Sequence, residues 1–494
     1  MPSKIAKAIK EALASGYQLH PQAFDFLSEI DEKIDVVDLV LKAVQLKFGS
    51  SDQQNIIVKE DIEKVLPPSF KEIEHAKAEV KPMAPEYIEP EFKIVKDPAS
   101  DISPVEGLKG FQSLFRSRFE KLMKIVGKRP DSYQIRQISN LKKESSNSPQ
   151  KIAGLVMSKK IKRAYVELTV DDESGKIKAV ALEDPARKNA TEICLDQLVI
   201  LDLQFSKRGL AIAKDVYSPD IPDRLPNTSK KVVYAVFTSD LHVGSKTFLL
   251  DVFNRFLLWL NGKMGDDLIV RRLKYMIIGG DLVDGIGIYP YQDKELEETN
   301  IYEQCKKVAN LIEKIPKHIQ IFIIPGNHDP ARQALPQPAI PKKYVDQLYS
   351  MENVKMLGNP VYLNLHGVNV LVYHGRSLDD VVAMTPGLTF SNSTLAMRIL
   401  LKARHLAPIY GGRTPIAPEK EDHLVIEKIP DIFHAGHTHT TDVNTYRNTL
   451  LINSGTWQGQ TCYQLNMGLN PTPGIVPIVN LATLEVTLRN FTSM

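Results

Sequence analysis

The amino-acid pattern is that of a multidomain α/β protein: an N-terminal helical module, a small β-barrel, and a layered α/β domain that carries the chemistry. Three observations lead there. At 494 residues the chain is too long for one ordinary core, which favours two to four domains. Apolar residues recur at helical spacing up to about residue 75, whereas short Val- and Ile-rich runs crowd residues 131 to about 225. From about 230 onward apolar runs alternate with helical segments, the pattern of a largely buried sheet covered by helices.

In the module at 1–75, Ile5, Ile9 and Leu13, and then Phe24, Leu27 and Ile30, recur at helical spacing. Val36 to Phe48 is a further amphipathic run, and Lys59 to Leu66 another that Pro67-Pro68 stops. Nothing there has catalytic spacing, so a docking role is expected. Residues 76–105 repeat proline and charge with little periodicity and read as a linker. Phe111 to Val126 resumes a helical pattern. Within it Gln112 to Phe119 resembles a sliding-clamp-binding peptide, but Arg118 takes the place of one paired aromatic, and an amphipathic helix explains the spacing.

The second domain is expected at 106–228. Lys151 to Met157, Ala164 to Asp171, Lys176 to Leu182, Gln197 to Phe205 and Leu210 to Tyr217 read as strands, with turns at Glu173-Ser174-Gly175 and Lys207-Arg208-Gly209. So many short strands suggest a small barrel, with an OB-fold the leading expectation. Tyr165 is nearly the sole aromatic on the sheet, and Lys159, Lys160, Lys162 and Arg163 share one turn. With stacking platforms scarce, protein docking is favoured over nucleic-acid binding for the barrel.

Composition sets the broad class. The chain is 43% hydrophobic and 24% charged with a net charge of +3, too small to argue for nucleic-acid binding by itself. Cys194, Cys305 and Cys462 lie far apart, which argues against a disulfide scaffold or thiolate zinc site and fits a reducing cytoplasm. The N-terminus lacks an apolar signal core, and no run approaches the ~20 residues of a membrane span, so a cytoplasmic protein without a membrane partner is expected.

The chemistry sits in 229–494. Strands are expected at Val232–Thr238, Tyr275–Ile278, Ile319–Ile324, Val368–Tyr373, Ile432–Phe433 and Leu450–Ile452, with helices such as Phe248–Asn261, Tyr302–Lys314 and Lys342–Ser350 between them. Five of these strands run directly into polar stretches: S-D-L-H-V-G at 239, G-G-D-L-V-D-G at 279, G-N-H-D-P at 326, Y-H-G-R at 373 and H-A-G-H-T-H-T at 434. Ligands of open α/β sheets gather beyond the carboxyl ends of strands, so the five can converge. Carboxylates, imidazoles and one amide suit Mn²⁺, Fe²⁺ or Zn²⁺. Asp240, His242, Asp281, Asn327, His374, His437 and His439 are too many for one four-coordinate zinc and imply two ions sharing a carboxylate. In an extended backbone Thr438 would leave His437 and His439 on one face. Gly279, Gly280, Gly326, Gly375 and Gly436 allow tight turns and close approach. His434, Asp284 and Asp329 are expected to orient ligands or loops rather than bind metal. A lone Asp after a strand is usually a helix cap, and a lone buried His a core residue; five such motifs in order outweigh those readings.

These motifs resemble the calcineurin-like metallophosphoesterase superfamily in order and wording over about 230 to 460. The resemblance implies Asp240, His242, Asp281 and His439 at one metal, and Asp281, Asn327, His374 and His437 at the other, with His328 as general acid or phosphate-contacting histidine. A narrower resemblance spans nearly the whole chain. G-N-H-D-P-A-R-Q-A-L-P-Q-P-A at 326, G-G-R-T-P-I-A-P at 411 and S-G-T-W-Q…N-P-T-P-G-I-V-P from 454 are similar to the small subunits of the archaeal family D DNA polymerases. It implies a di-metal phosphodiesterase, a 3′-to-5′ proofreading exodeoxyribonuclease that uses Mn²⁺ foremost, with Mg²⁺ for the holoenzyme. Implied partners are DNA, a separate large polymerase subunit, a sliding clamp and primase. Two readings stand beside it: a structural assembly subunit with vestigial catalysis, and a stand-alone metallophosphoesterase. Lys246, Arg332 and Arg376 adjoin the motifs as candidates for DNA phosphates, and Trp457–Pro477 reads as a partner-facing loop.

Overall fold

The computed structural model describes residues 2–29, 36–48, 55–65, 88–141, 149–264, 268–466 and 468–493. The chain divides into two compact units, Met1–Lys81 and Pro82–Met494. The first holds helices Pro2–Ala14, Pro21–Glu29, Val36–Phe48 and Lys59–Val65 and a short parallel pair of Gln18–Leu19 with Ile56–Ile57. Its core uses Ala8, Ala12, Leu27, Leu39, Val40 and Ile62. Leu13 and Phe24, expected on apolar helix faces, are exposed; the small alanines let backbones approach instead. Ile30 and Leu66, expected at the ends of two of these runs, lie outside the described residues.

The second unit contains a barrel and a sandwich. Strands Gln150–Ile161, Val166–Asp172, Gly175–Ala181, Ala211–Tyr217 and Leu198–Phe205 form the barrel in that order, closed because Gln150–Ile161 also pairs with Leu198–Phe205. The long strand serves both neighbours in turn, pairing with Leu198–Phe205 through Gln150–Leu155 and with Val166–Asp172 through Leu155–Ile161. A Cβ at Gly154 would stand 2.5 Å from the Asp171 carbonyl, so only glycine fits there. Of the basic cluster, Lys159 is not on a solvated turn: its ammonium donates to the carbonyls of Thr191, Ile193 and Met384.

Two six-stranded sheets make the sandwich. The first runs Val354–Met356, Gln320–Ile323, Leu273–Ile278, Tyr234–Thr238, Ile475–Asn480 and Val486–Asn490, its first four strands parallel. The second runs Asp442–Tyr446, Thr449–Asn453, Ile432–Ala435, Val368–Val372, Val361–Leu365 and Phe92–Lys96. Period two divides each strand between two cores. Ala235, Phe237, Tyr275 and Ile277 meet Val370, Val372 and Ile432 between the sheets, whereas Val236, Met276 and Ile278 face helices Leu250–Leu260 and Ile301–Ile312. Leu371, Phe433 and Leu451 pack beneath helix Ser393–Ala403. Burial on both faces is why these strands read as continuous apolar runs.

The expected linker at 76–105 is corrected in its second half. Phe92–Lys96 is the edge strand of the second sheet, with Phe92 and Ile94 packed on its core. Strand pairing to Val361–Leu365, about 270 positions away, overrides the proline-rich surroundings. The earlier part of that stretch, to residue 87, lies outside the described residues. The Gln112–Phe119 segment belongs to helix Gly107–Val126, whose Gly110, Leu114, Arg118, Leu122 and Val126 are buried at i, i+4 spacing. Arg118 is fully buried, pairing with Asp422 at 2.8 Å and donating to the Pro408 carbonyl at 2.7 Å. Phe111 and Phe115 pack on Tyr410. Leu114, Phe115 and Arg118 of the clamp-like segment are thereby taken up by the fold, whereas Gln112 and Arg116 stay exposed. No helix among the described residues is long and apolar enough to cross a membrane.

Candidate metal centre

Strands Tyr234–Thr238, Leu273–Ile278 and Gln320–Ile323 are parallel in one sheet, and Val368–Val372 and Ile432–Ala435 in the other. Their carboxyl ends therefore open on common edges, and each is followed within a few residues by one of the polar stretches. The backbone there is unusual. Asp240, His242, Asp281, His437 and His439 all have φ between 53° and 70°, the left-handed region that costs a non-glycine residue energy. The extended backbone considered for His437–His439 is thus replaced by left-handed residues. The loops hold one another in place: Asp240 N–H donates to the Gly280 carbonyl at 2.9 Å, and His437 N–H to Asp240 Oδ2 at 2.9 Å. His328 N–H donates to Asp281 Oδ1 at 2.8 Å. A Cβ on Gly326 would stand 2.1 Å from Asp281 Oδ1, so this close approach requires glycine.

Hydrogen bonds turn one nitrogen of each imidazole toward a common centre. His242 Nδ1 meets Asp284 Oδ1 at 3.1 Å, leaving Nε2 facing His439 Nε2 at 3.0 Å. His374 Nδ1–H donates to the Gly279 carbonyl at 2.8 Å, leaving Nε2 at 3.4 Å from Asp281 Oδ2 and 3.0 Å from Asn327 Oδ1. His437 lies the other way round, with Nε2 against Asp379 Oδ1 at 3.1 Å. Three overlapping groups bring ligand atoms within 4.8 Å of one another: Asp240, His242 and His439; His242, Asp281 and His328; and Asp281, His374 and His437. Asp281 belongs to two of them.

The donor set fits divalent cations. Asp240 Oδ1 is buried and has no hydrogen-bond partner among the described residues, lying 3.4 Å from His439 Nε2 and 3.8 Å from His242 Nε2. Such an orphan acceptor amid imidazole lone pairs is costly unless positive charge joins it. The field shows the same demand. Burial opposes protonation of His242, yet the Asp240 and Asp284 carboxylates push it up to about 10. Burial likewise opposes protonation of His374, and Asp281 pushes it up to about 9. A divalent ion would answer that demand without burying protonated imidazoles.

All seven residues expected as ligands converge here. His328 lines the same cleft, its Nδ1 2.7 Å from the Asp284 carbonyl and its Nε2 4.0 Å from Asp281 Oδ2; burial pushes it down to about 4. Asp284 thus holds His242 through its carboxylate and His328 through its carbonyl. Asp329 accepts from the N–H groups of Leu282 and Gly326 and so fixes two of the loops. His434 Nε2 meets Ser454 Oγ at 2.9 Å, and Ser454 meets Ser239, whose hydroxyl donates to Asp240. Arg332 is committed to buried Glu419 at 2.8 Å, and Lys246 donates to the Lys294 carbonyl. Of the three expected phosphate contacts, only Arg376 lines the cleft.

Several contributors escaped sequence reading. Asp379 lies five residues beyond His374 but outside any motif. Gln464 reaches His439 Nδ1 at 2.7 Å, and Gln458 reaches Asp284 at 3.0 Å. The start of the supposed partner-facing loop is inside the protein: Trp457 is buried and donates to Thr238 Oγ1 at 2.7 Å, while Thr456 Oγ1 donates to the Asp240 carbonyl. Tyr289, Tyr463 and Arg413 complete a cleft of about 450 Å³ over the centre.

Comparison with known proteins places the chain in a family. The model of the B-type subunits of DNA polymerases alpha and epsilon matches residues 235–443. The DNA polymerase II small subunit of Pyrococcus furiosus is 42% identical over 385 residues, 77% of this chain and 63% of its own. That of Pyrococcus horikoshii is 43% identical, with 62% of its length covered, so the chain spans under two thirds of these two relatives. An archaeal phosphodiesterase structure covers 52% of this chain and 99% of its own at 13% identity and a TM-score of 0.27, a likeness too low to carry an argument. The DNA polymerase II small subunit of Archaeoglobus fulgidus is 35% identical over 98% of both chains. With that extent of identity, the chain belongs to the family of DNA polymerase II small subunits, the small subunits of the archaeal family D DNA polymerases.

Proposed function

We propose that the chain is a metal-dependent 3′-to-5′ exonuclease that trims DNA 3′ ends for a separate large polymerase subunit. The observation that carries this reading is the shared position of Asp281 between ligand groups drawn from five strand ends. Asp240, His242, Asp281 and His439 would hold one ion, and Asp281, Asn327, His374 and His437 the other. When bound, such ions supply charge to a phosphodiester in displacement and lower the pKa of water. The residues around them do the orienting. Asp284 and the Gly279 carbonyl hold His242 and His374 by Nδ1, so that Nε2 faces the centre. The Asp379 carboxylate holds His437 by Nε2.

His328 has the catalytic role in this reading. Its Nδ1–H is fixed by the Asp284 carbonyl, so Nε2 faces the scissile phosphate and donates to it or to the leaving oxygen once the ring has taken up a second proton beside the substrate's anionic phosphate. Arg376 and Arg413 line the cleft and suit the flanking phosphates. The barrel is read as an OB-fold and, with the helical module at 1–75, as a docking element; DNA, a sliding clamp and primase are the further partners proposed. The name of the relatives, a polymerase small subunit, supports a large-subunit partner.

The test is digestion of 3′-labelled and 5′-labelled DNA with Mn²⁺, Fe²⁺, Zn²⁺ or Mg²⁺, using the wild type, His328→Ala and His437→Ala. Early release of the 3′ label alone, lost in both variants while the fold persists, is expected. Unchanged digestion by clean His328→Ala would remove His328 from catalysis, and 5′ release would overturn the polarity.

A further inference from the structure

A line of rings runs from the metal centre to the rim of its cleft. His242 and His328 have ring centroids 4.6 Å apart, His328 and Tyr289 6.4 Å, and Tyr289 and Tyr463 6.0 Å. The two tyrosine rings are within 30° of parallel although they come from segments 174 positions apart. Tyr289 is anchored through its hydroxyl to Glu295 at 3.0 Å and is half-buried. Tyr463 is the second residue of the short helix Cys462–Asn466 and leaves 52% of its surface exposed. An aromatic this exposed at the mouth of a polar cleft has no core to serve, and its ring rests on that of Tyr289.

Tyr289 adjoins His328, whereas Arg376 and Arg413 lie near Asp379, the partner of His437, so aromatic and cationic groups attend different histidines of the cleft. Tyr289 and Tyr463 line it together with Arg376 and Arg413, and metal-type ligands form the floor. A nucleotide likewise has a flat π-face on one side of its sugar and an anionic phosphate on the other. The cleft volume of about 450 Å³ is of a size to take one nucleotide. Base–aromatic stacking tolerates any sequence, because every base has a π-face.

We propose that Tyr289 and Tyr463 form a stacking subsite for the base of the 3′-terminal nucleotide, selecting ends whose last base is unpaired. This rests on the exonuclease reading of the same centre. A base still paired to its complement keeps its stack on the duplex, and cannot lie on the tyrosines while its phosphate lies beside His328. A frayed or mismatched end leaves that stack at lower cost. The tyrosines are positioning residues for the substrate and exchange no proton with it.

The test uses the full chain in EDTA, where binding is read without turnover. The probes are single-stranded oligonucleotides ending in 2-aminopurine, in deoxyadenosine, or in an abasic residue. The expected results are quenching of the 2-aminopurine on binding, and roughly tenfold weaker binding of the deoxyadenosine end by Tyr463→Ala. Tyr463→Phe should restore binding, and the abasic end should bind wild type and Tyr463→Ala alike. Equal loss on abasic and normal ends, or no quench with the wild type, would overturn the subsite. Quenching by a wild type that, given Mn²⁺, shortens no DNA would leave the subsite standing and overturn the exonuclease reading alone.

Discussion

The Nε2 atoms of His242 and His439 face each other at 3.0 Å, although 197 positions separate the two residues in the chain. Two imidazole lone pairs at that distance, with the partnerless Asp240 Oδ1 beside them, repel unless a proton or a cation lies among them. Asp281 then joins this group to the one around His374 and His437.

Metal content should follow that sharing. His439→Ala is expected to lose about one ion per chain, and Asp281→Ala both, because a shared carboxylate serves two sites. Elemental analysis of Mn²⁺-loaded, desalted protein reads the number directly. Two ions retained in Asp281→Ala would refute the sharing.

Asp284 touches no expected ion position but orients His242. Asp284→Ala frees that imidazole to rotate, and metal affinity should fall about 10–100-fold. Titration against a competing chelator measures it. An unchanged affinity would mean that the loop alone orients His242.

At Gly326 the expected damage is steric. A Cβ placed 2.1 Å from Asp281 Oδ1 must displace the carboxylate or its loop. Gly326→Ala should therefore bind metal more weakly than the wild type while the two sheets remain intact by circular dichroism. Normal metal binding would show that the loop can move aside.

The buried Arg118–Asp422 pair ties helix Gly107–Val126 to a loop 304 positions later. Arg118→Ala removes the permanent charge beside a buried carboxylate and leaves it to His405, and should cost about 3 kcal/mol in urea unfolding. The Arg118→Ala, Asp422→Ala double variant should lose less than the sum of the two single changes, since each already forfeits the pair. Strict additivity would deny the coupling.

The same cluster sets an acid limit. Burial opposes ionisation of Asp422, yet His405 and Arg118 hold its carboxyl well below the usual range. Burial, with Arg118, pushes His405 down. Both groups bind fewer protons folded than unfolded, so their stabilisation is present at high pH and lost as pH falls. The loss should begin near the ordinary histidine value of about 6.5 and deepen below the ordinary aspartate value of about 4. The stability difference between wild type and Asp422→Asn should shrink as pH falls below about 4, where the unfolded carboxyl takes up a proton and the folded one does not, in denaturant titrations. A constant difference would exclude the depressed carboxyl.

Local sequence is enough to name the candidate ligand set and the strand ends that carry it. Asp240, Asp281, Asn327, His374 and His437 each follow an apolar run closely, and parallel strands deliver such positions to one edge. The barrel strands are legible for a similar reason, since alternation over seven or eight residues is a local signal.

Whatever depends on distant partners is settled by the folded chain alone. Phe92–Lys96 is a strand because Val361–Leu365 offers it an edge, and nothing near it in sequence announces that pairing. Arg118 breaks an apolar stripe on paper and fills it in the fold, because Asp422 and the Pro408 carbonyl neutralise it there. Asp379 and Gln464 acquire their roles from an imidazole nitrogen within hydrogen-bond reach, and the left-handed backbone at Asp240 and His439 comes from loops bracing one another. Local spacing can name the groups able to bind metal; which nitrogen each imidazole presents is set by hydrogen bonds across the whole sandwich.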